Sequence, residues 1–363
     1  MDDATRVLFD LVSTSSISGN ERQAAEVFIE HASRLGFETS IDEVSNAIAH
    51  RGASEHNARF HVVLLGHIDT VPGDIPVRIE NGILHGRGSV DAKGPLCAML
   101  IAASRAELPD GVRVTVAGAA GEEAAGSVGA RKLVNQWSPD ACIIGEPSGF
   151  DGVTLGYKGR LLADATAGCP NTHSAGKDPT APDLLHQWWS SVSAFVHEYN
   201  ANRSGIFDVI QASILETSSR SDGLTQQANL RAGFRLPVGL SPQDFSYQLD
   251  RFCHESISIQ YDGGEAAFAT TRNDLVVRSL SSAIRNLGNT PRPKLKTGTS
   301  DMNVVAPIWN CPIAAYGPGD SALDHTPIEH LEIAEYKKSI DILTNTIESL
   351  SLDLCSNTEA LQN

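Results

Sequence analysis

Residues 62–69 read Val-Val-Leu-Leu-Gly-His-Ile-Asp, an apolar run that ends in an imidazole and a carboxylate. A short, continuous apolar run of this kind is typical of a strand that is buried on both faces of a sheet. Because side chains alternate along a strand, His67 and Asp69 would lie on the same face where the strand ends. A histidine that only caps a strand would give the same pair, so the pair alone leaves its purpose open.

Further acidic residues follow other apolar runs, and one more histidine lies in a late loop. Each has an ordinary alternative: a helix cap for Asp91, a solvated surface pair for Glu122 and Glu123, and a surface loop for His325. Together they supply two imidazoles and several carboxylates, the donors that hydrolytic metal sites use. The sequence therefore predicts a metallohydrolase with donors for two divalent ions. The candidates are His67, Asp91, Glu122, Glu123, Glu146 and His325.

The expected roles differ within this set. His67 supplies a nitrogen ligand, and Asp69 is placed to accept the other ring N–H and so fix the tautomer. The adjacent glutamates Glu122 and Glu123 would point in different directions in a loop. One of them can then bind metal while the other stays free as a general base for the attacking water.

Length and composition are those of a globular protein with more than one domain. A chain of 363 residues, 41% hydrophobic and 20% charged, exceeds the size at which one core usually keeps growing. The net charge of -16 argues against binding to nucleic acid or to anionic membrane surfaces. Six cysteines without a C-x-x-C pair, and no visible signal peptide or membrane span, favour a cytoplasmic protein with reduced thiols.

Strands alternate with helices in the first part of the chain, which predicts an α/β domain with a mostly parallel sheet and flanking helices. From about residue 153 the pattern changes to the βαββαβ order of a ferredoxin-like unit. The α/β pattern returns from residue 274. We therefore expect a split catalytic domain, residues 1–152 and 274–363, interrupted by an inserted domain of residues 153–273.

Two local features of helix ends are also predicted. Ser18, with Glu21 three residues later, or alternatively Asn20, would cap the second helix of the chain. The final helix is expected at Ile328–Leu350, and the polar tail Ser351–Asn363 is expected to fray.

Six short blocks resemble the two-zinc peptidase and deacylase family, which includes acetylornithine deacetylase, succinyl-diaminopimelate desuccinylase, aminoacylase and carboxypeptidase G. The blocks follow the family's order and span nearly the whole chain. They are Gly66–Gly73, Gly86–Gly94, Gly121–Glu123, Gly145–Ser148, Thr172–Gly176 and Gly298–Asp301. The resemblance implies the same split architecture, with the inserted domain acting as a lid and as the surface of a homodimer.

Position by position, the resemblance implies a site for two zinc ions, in which cobalt could replace zinc. One ion would be held by His67 and Glu146, and the other by Glu123 and His325. Asp91 would bridge the two ions.

The resemblance also implies catalytic roles. Glu122 would be the general base, and Asp69 would orient His67. His173 of the lid would reach the active site of the partner subunit and help stabilise the tetrahedral oxyanion. A cis peptide bond is implied after Asp91.

Substrate recognition is expected to centre on an α-carboxylate, because members of this family commonly release free amino acids. Arg235 resembles a substrate-binding arginine, and its planar guanidinium suits a carboxylate. Thr299 can add a hydroxyl or main-chain contact. Lys158 and Arg160 are further candidates, for which an ordinary charge on a surface strand is the alternative.

The amino-acid sequences of four segments resemble those of one branch of the family. Enzymes of that branch release lysine or ornithine from the γ-glutamyl terminus of a small acidic amino-group carrier protein, in lysine or arginine biosynthesis. The segments are Gly66–Val77, Val90–Leu96, Gly156–Arg160 and Lys296–Asn303. An acidic carrier needs a local basic patch on a protein of charge -16. The candidates for that patch are Lys158, Arg160, Arg231, Arg235, Lys294 and Lys296.

Other functions stay open at this point. Deacetylation of acetylornithine or acetyllysine, or desuccinylation of succinyl-diaminopimelate, is the first alternative, and a dipeptidase or carboxypeptidase of the same fold is the next. A non-catalytic binding module that keeps the fold is the alternative from a different class. The intact Glu122 and the complete ligand set argue against that last reading.

Overall fold

The computed structural model describes residues 1–173 and 175–362. Its helices, labelled in chain order, are α1 (Asp3–Ser13), α2 (Arg22–Arg34), α3 (Lys93–Arg105), α4 (Val128–Val134), α5 (Ala181–Asn200), α6 (Pro242–Asp250), α7 (Leu275–Asn286), α8 (Asp301–Trp309) and α9 (Ile333–Gln362). Its strands are β1 (Glu38–Ile41), β2 (Ala47–Gly52), β3 (Phe60–His67), β4 (Arg78–Glu80), β5 (Ile83–His85), β6 (Val112–Ala119), β7 (Ala141–Gly145), β8 (Gly152–Tyr157), β9 (Gly159–Pro170), β10 (Gln211–Ser221), β11 (Thr225–Leu236), β12 (Ile257–Glu265), β13 (Phe268–Ala269), β14 (Arg292–Lys296), β15 (Ile313–Ala315) and β16 (His330–Glu332).

The described residues form two compact units. The first comprises residues 1–156, 270–295 and the chain from residue 300 onward, and the second comprises residues 157–269 and 296–299. The predicted boundaries, after residues 152 and 273, lie four residues from the two main boundaries between these units. Residues 296–299 differ from the prediction, because they group with the inserted unit. The main-chain N–H of Lys158 donates to the carbonyl of Lys296 (3.1 Å), which ties this segment to the second unit.

A mixed sheet forms the centre of the first unit. Its strands lie in the order β1, β2, β6, β3, β7, β15 and β8. β3 is parallel to β6 and β7, and β15 is parallel to β7. Residues 62–65 of β3 are fully buried, as expected for a strand covered on both faces. The predicted α/β class, with a mostly parallel central sheet and flanking helices, is confirmed.

Helix α3 lies directly against this sheet, near the carboxyl ends of its parallel strands. Gly66, Gly118 and Gly145 stand side by side in register on β3, β6 and β7. A β-carbon at Gly118 would come 2.9 Å from Cδ2 of Leu96, and one at Gly145 would come 3.0 Å from Sδ of Met99. Both side chains belong to α3, which also packs against α1 and α9 and is almost entirely buried. The glycine row therefore lets α3 approach the sheet closely.

The second unit is an antiparallel sheet covered by two helices. Its strands lie in the order β10, β11, β9 and β12, and along the chain its elements follow the βαββαβ order. The alanines of β9 leave space for the aromatic side chains Trp188, Phe234 and Phe245, which fill a separate apolar core. This unit thus has the connectivity that the sequence pattern of the insertion predicts.

The capping prediction for the second helix is wrong. α2 begins at Arg22, and Glu21 occupies its N-cap position without a capping hydrogen bond from its side chain. The hydroxyl of Ser18 donates to Oδ2 of Asp69 (2.7 Å), and Oε1 of Glu21 accepts from the main-chain N–H of Gly19 (2.7 Å). The Ser18 side chain, which local rules assign to the helix cap, instead makes a tertiary hydrogen bond to Asp69.

The final helix also differs from the prediction. Residues 330–332 form β16, which pairs with β5, so α9 begins at Ile333 rather than at Ile328. The helix continues to Gln362, through most of the tail that the sequence predicts to fray, and Ser351 is buried. Leu354 packs against the core of the first unit, which explains why the helix does not end at residue 350. Asn363 lies outside the described residues.

All six cysteines are free thiols, and Cys97 and Cys142 are buried. Burial raises the pKa of the Cys97 thiol above its ordinary value. Across residues 1–173 and 175–362, no helix combines the length and the apolar character that a membrane span requires.

Two histidines share one hydroxyl in the first unit. Nδ1 of His50 lies 2.7 Å from Oγ1 of Thr115, and Nε2 of His61 lies 2.8 Å from the same oxygen. Both rings also contact the edge or face of Trp137. Burial, with the positive charge of Arg113 as the next cause, lowers the pKa of each histidine to about 4.

We expect this pair to make stability depend on pH. An unfolded histidine has a pKa of about 6.5, so the unfolded chain binds more protons between pH 4 and 6.5, and stability falls as the pH decreases through that window. Each histidine contributes a slope of up to about 1.4 kcal/mol per pH unit. Urea unfolding of the metal-free protein should show a shallower slope for His50→Gln than for the wild type. The exposed His56→Gln is the control, and equal slopes for the wild type and His50→Gln would contradict the expectation.

Candidate metal centre

Three parallel strands bring polar side chains to one edge of the sheet of the first unit. His67 is the last residue of β3, Glu146 directly follows β7, and Glu122 and Glu123 lie in the loop after β6. β3 pairs with β6 on one side and β7 on the other. Since the carboxyl ends of neighbouring parallel strands meet at one edge, these side chains converge there.

Asp91 lies between two imidazoles. Its Oδ1 is 3.0 Å from Nε2 of His67, and its Oδ2 is 3.1 Å from Nε2 of His325. Ala92, not Asp91, occupies the N-cap position of α3, so the aspartate does not cap the helix. The Asp91–Ala92 peptide bond is cis, as the resemblance implies.

The glutamates complete two groups around Asp91. Oε1 of Glu123 lies 2.9 Å from Nε2 of His325. Oε1 of Glu146 and Oε2 of Glu122 lie 3.9 Å and 4.0 Å from Nε2 of His67. One oxygen of Asp91 therefore faces the group that contains His67, and the other faces the group that contains His325.

Asp69 holds the loop that carries the two glutamates. Its carboxylate accepts the main-chain N–H groups of Glu122 (3.1 Å) and Glu123 (3.0 Å) as well as the hydroxyl of Ser18. Nδ1 of His67 lies 3.1 Å from the main-chain oxygen of Asp69 and 3.5 Å from its Oδ1. The main-chain oxygen and Oδ1 of Asp69 thus both lie near Nδ1 of His67, and the main-chain oxygen is the closer of the two.

The other predicted site residues lie in the second unit. Nη1 of Arg235 donates to Oγ1 of Thr299 (3.2 Å). Lys158 is buried, and its ammonium donates to the main-chain carbonyls of Ile206 and Val209. His173 is exposed, and its Nδ1 accepts the N–H of Ala175 (3.1 Å). Ser174, in the same block, lies outside the described residues.

Comparison with known proteins assigns the family. A family model described as peptidase family M20/M25/M40 matches residues 63–349, a range that includes all the candidate ligands. The chain belongs to this family. A protein of Deinococcus radiodurans named LysW-lysine hydrolase is 43% identical over 96% of this chain and 97% of its own length. A Thermococcus kodakarensis protein named putative LysW-lysine/LysW-ornithine hydrolase is 37% identical over 96% of this chain and 92% of its own length.

Solved structures of the M20 family share the fold. The metallo-carboxypeptidase Sso-CP2 from Sulfolobus solfataricus gives a TM-score of 0.79 at 18% identity, over 97% of this chain and 100% of that chain. The YXEP protein of Bacillus subtilis, described as a dinuclear metal binding peptidase, gives 0.69 at 14% identity, over 97% of this chain and 98% of that chain. At such identities the likeness shows the fold alone. The chain belongs to a peptidase family, and its similar relatives are named as hydrolases. This chain is therefore a hydrolase.

The charges at the site of this M20-family chain do not balance. Burial, opposed by the charge of His67, raises the pKa of the Glu122 carboxyl well above its ordinary value, and nearby carboxylates including Glu146 add to the rise. Hydrogen bonds to Asp91 and then Glu123 raise the pKa of His325 to about 10. Burial opposes protonation of His67, but hydrogen bonds to Asp69 and Asp91 outweigh it and raise its pKa.

The donor set fits divalent metal ions. His67, Asp91 and Glu123 each offer one ligand atom, and these atoms lie within 4.8 Å of one another. Four carboxylates surround two imidazoles, and the raised pKa of Glu122 means that ionising the whole set is unfavourable unless further positive charge is present. Divalent cations supply such charge, and mixed imidazole and carboxylate ligands are typical of hydrolytic sites.

Three residues near the site were missed or given no role by sequence reasoning. Glu329 is fully buried beside the Asp91 loop, and Asp301 is buried close enough to raise the pKa of Glu122. Lys93 donates to the carbonyls of Leu11 (3.1 Å) and Thr14 (2.7 Å), and burial lowers its pKa to about 8. Lys93 and Asp301 belong to blocks of the family resemblance, which is the signal that could have found them.

We expect the protein to bind two divalent ions per chain and His325→Ala to retain one. The substitution removes a donor from the group that contains Glu123, whereas His67 and Glu146 keep their positions in the other group. Metal analysis by mass spectrometry after dialysis measures the stoichiometry, with the exposed His56→Ala as control. Loss of both ions from His325→Ala, or one ion in the wild type, would contradict the division into two groups.

Proposed function

We propose that this chain is a zinc-dependent amidohydrolase that releases lysine or ornithine from the γ-glutamyl terminus of a small acidic amino-group carrier protein. The observation that carries the proposal is 43% identity, over almost the full length of both chains, to a protein named LysW-lysine hydrolase. The geometry supports it, because a carboxylate between two histidines suits a pair of hydrolytic metal ions. Cytoplasmic activity in lysine or arginine biosynthesis is the context that fits such a substrate.

We assign the metal ligands by the two groups around Asp91. His67 and Glu146 would hold one zinc ion, Glu123 and His325 the other, and Asp91 would bridge them. Zinc suits this set because it takes imidazole nitrogen and carboxylate oxygen together, and cobalt is the alternative ion. When bound, such ions lower the pKa of a coordinated water to about 7 and polarise an amide carbonyl.

We propose Glu122 as the general base. It would take a proton from the attacking water and deliver it to the α-nitrogen of the amino acid that leaves. Glu122 and Glu146 lie at nearly the same distance from His67, so distance does not separate base from ligand. The family resemblance separates them. Asp69 supports this role, because its carboxylate fixes the main chain of Glu122.

Recognition of the released amino acid is assigned to Arg235 and Thr299. Their side chains are hydrogen-bonded to each other, and Arg235 lines a cavity of about 350 Å³ within the second unit, together with Arg160. A guanidinium at a cavity wall suits a substrate carboxylate. Lys158 is left out of this assignment, because its buried ammonium is bound to main-chain carbonyls.

We also propose a homodimer through the second unit, in which His173 of one subunit serves the active site of the other. β10 is the edge strand of its sheet and is exposed along most of its length. Ile214 and Leu215 on it are 44% and 57% exposed. An exposed edge strand with apolar side chains suits pairing with its own copy across a two-fold axis.

Docking of the acidic carrier is proposed to use basic residues of the second unit. Arg231 is half exposed but lies 3.7 Å from Asp164, so part of its charge is already compensated. Arg160 and Lys296 are partly exposed. Because Lys158 is buried, this patch is smaller than the sequence suggests. Steering by such a patch depends on the local field and weakens with salt.

Replacing the proposed base should separate catalysis from metal binding. We expect Glu122→Gln to lower kcat by at least about 100-fold, because a neutral amide cannot accept the proton, while metal content stays at the wild-type level. Glu146→Gln is the matched variant and should lose metal, because an amide oxygen is a weaker ligand than a carboxylate. Turnover that survives in Glu122→Gln would remove the base assignment.

A substrate panel tests the proposed function directly. We expect the highest kcat/KM with carrier protein that bears γ-glutamyl-lysine or γ-glutamyl-ornithine, above acetylornithine, acetyllysine, succinyl-diaminopimelate and free dipeptides. Activity on the carrier should fall as salt rises, because charge attraction speeds encounter. A preference for a deacylase substrate or a dipeptide would assign that activity instead, and a salt-independent kcat/KM on the carrier would exclude electrostatic docking.

A further inference from the structure

Glu329 is a buried carboxylate placed against the main chain of the candidate bridging residue. Its side chain is 1% exposed, and its Oε1 accepts the N–H groups of Val90 (2.9 Å) and Asp91 (3.1 Å). These two amides belong to the loop that turns into α3. A carboxylate that accepts two adjacent amides restricts the orientation of the peptide between them.

The rest of Glu329 binds the same loop. Its Oε2 lies 2.7 Å from Nη1 of Arg87, and its main-chain carbonyl accepts the N–H of Gly86 (3.3 Å). Arg87 in turn donates from Nε to the carbonyl of Gly73 (3.1 Å). Glu329 therefore contacts the loop at Gly86, at Arg87 and at Asp91.

The pattern of bonds explains how a carboxylate is tolerated there. Burying an unpaired carboxylate is costly, and charged partners with several hydrogen bonds are needed to offset that cost. Glu329 has one guanidinium and two amides as partners, and one of those amides is that of Asp91. The buried charge is thus placed where it also fixes Asp91.

The position of Glu329 in the chain adds a second link. His325 precedes it by four residues and has a left-handed backbone, with φ of 62°. Residues other than glycine rarely adopt this conformation. Immediately after Glu329 the chain pairs with β5 through β16. The segment that carries His325 is therefore held against the loop that carries Asp91.

We propose that Glu329 is a positioning residue, which orients Asp91 so that its two oxygens face His67 and His325. The inference rests on the proposed metal site. It assigns to Glu329 no contact with substrate or metal. Glu329 would act through the main chain of Asp91, and through the short segment of chain that joins Glu329 to His325.

The test compares two glutamates that make similar hydrogen bonds. Oε1 of Glu335 also accepts two main-chain N–H groups, those of Phe150 and Gly319, both at 3.0 Å. Neither of these residues is a candidate ligand. Glu335→Ala is therefore the matched control for Glu329→Ala. Zinc affinity is measured by competition with a chromogenic chelator, and the melting temperature is measured on metal-free protein.

We expect Glu329→Ala to weaken zinc binding by roughly 10- to 100-fold, the usual effect of losing a residue that supports a ligand. Glu335→Ala should keep wild-type zinc affinity, although the metal-free melting temperature should fall in both variants. Equal zinc affinities in the two variants would reduce Glu329 to a structural residue and overturn the inference. A wild type that binds no zinc would instead overturn the proposed metal function.

A second pair of variants decides the matter if Glu329→Ala does not fold. Glu329→Gln leaves one side-chain oxygen to accept from two sets of donors, so this variant should also weaken zinc binding. Adding Arg87→Gln supplies a side-chain oxygen that can accept from the new amide, so the double variant should recover affinity relative to Glu329→Gln. Wild-type affinity in Glu329→Gln, or no recovery in the double variant, would count against the proposed positioning.

Discussion

The close approach of α3 to the central sheet is the constraint on which the candidate site depends. Gly66, Gly118 and Gly145 lie side by side at the carboxyl ends of their strands, where a β-carbon on Gly118 would meet Leu96 at 2.9 Å. α3 begins two residues after Asp91, so the depth at which the helix sits also sets how near Asp91 comes to His67. Larger residues in the glycine row would push the helix, and Asp91 with it, away from the strand ends. The geometry of the candidate site therefore depends on packing between residues that are not candidate ligands.

Around that contact, two buried carboxylates fix the loops that carry candidate ligands. Asp69 accepts two amides of the glutamate loop and the hydroxyl of Ser18, while Glu329 accepts two amides of the Asp91 loop. These two carboxylates hold the loops, which leaves the side chains of Asp91, Glu122 and their neighbours directed at the imidazoles. Such an arrangement would keep the candidate ligands close to the positions needed for binding a cation and would limit the reorganisation that binding requires.

The sequence predicts much of this site because the candidate ligands follow recognisable apolar runs. His67 and Glu146 come at strand ends, and parallel pairing brings such ends together without further information. Glu329 was not predictable in this way, since its partners Val90 and Asp91 lie 239 and 238 residues away along the chain. For the same reason local rules predict a helix cap at Ser18, although its hydroxyl donates to Asp69. Burial of Lys158 depends on the carbonyls of a distant loop, which no local pattern contains.

The residues of the candidate site are synthesised at very different times, because some of them lie near each end of the chain. Ser18 enters the site from the first helical hairpin, whereas His325 and Glu329 come from the last part of the chain, after an inserted unit of more than a hundred residues. Domains commonly fold as their sequence emerges, so the inserted unit can complete its own sheet while the surrounding unit still lacks α9 and β16. Until those elements arrive, the candidate site has one imidazole in place of two and an Asp91 loop without its buried carboxylate. A nascent chain released early would therefore carry an incomplete ligand set on an unfinished core.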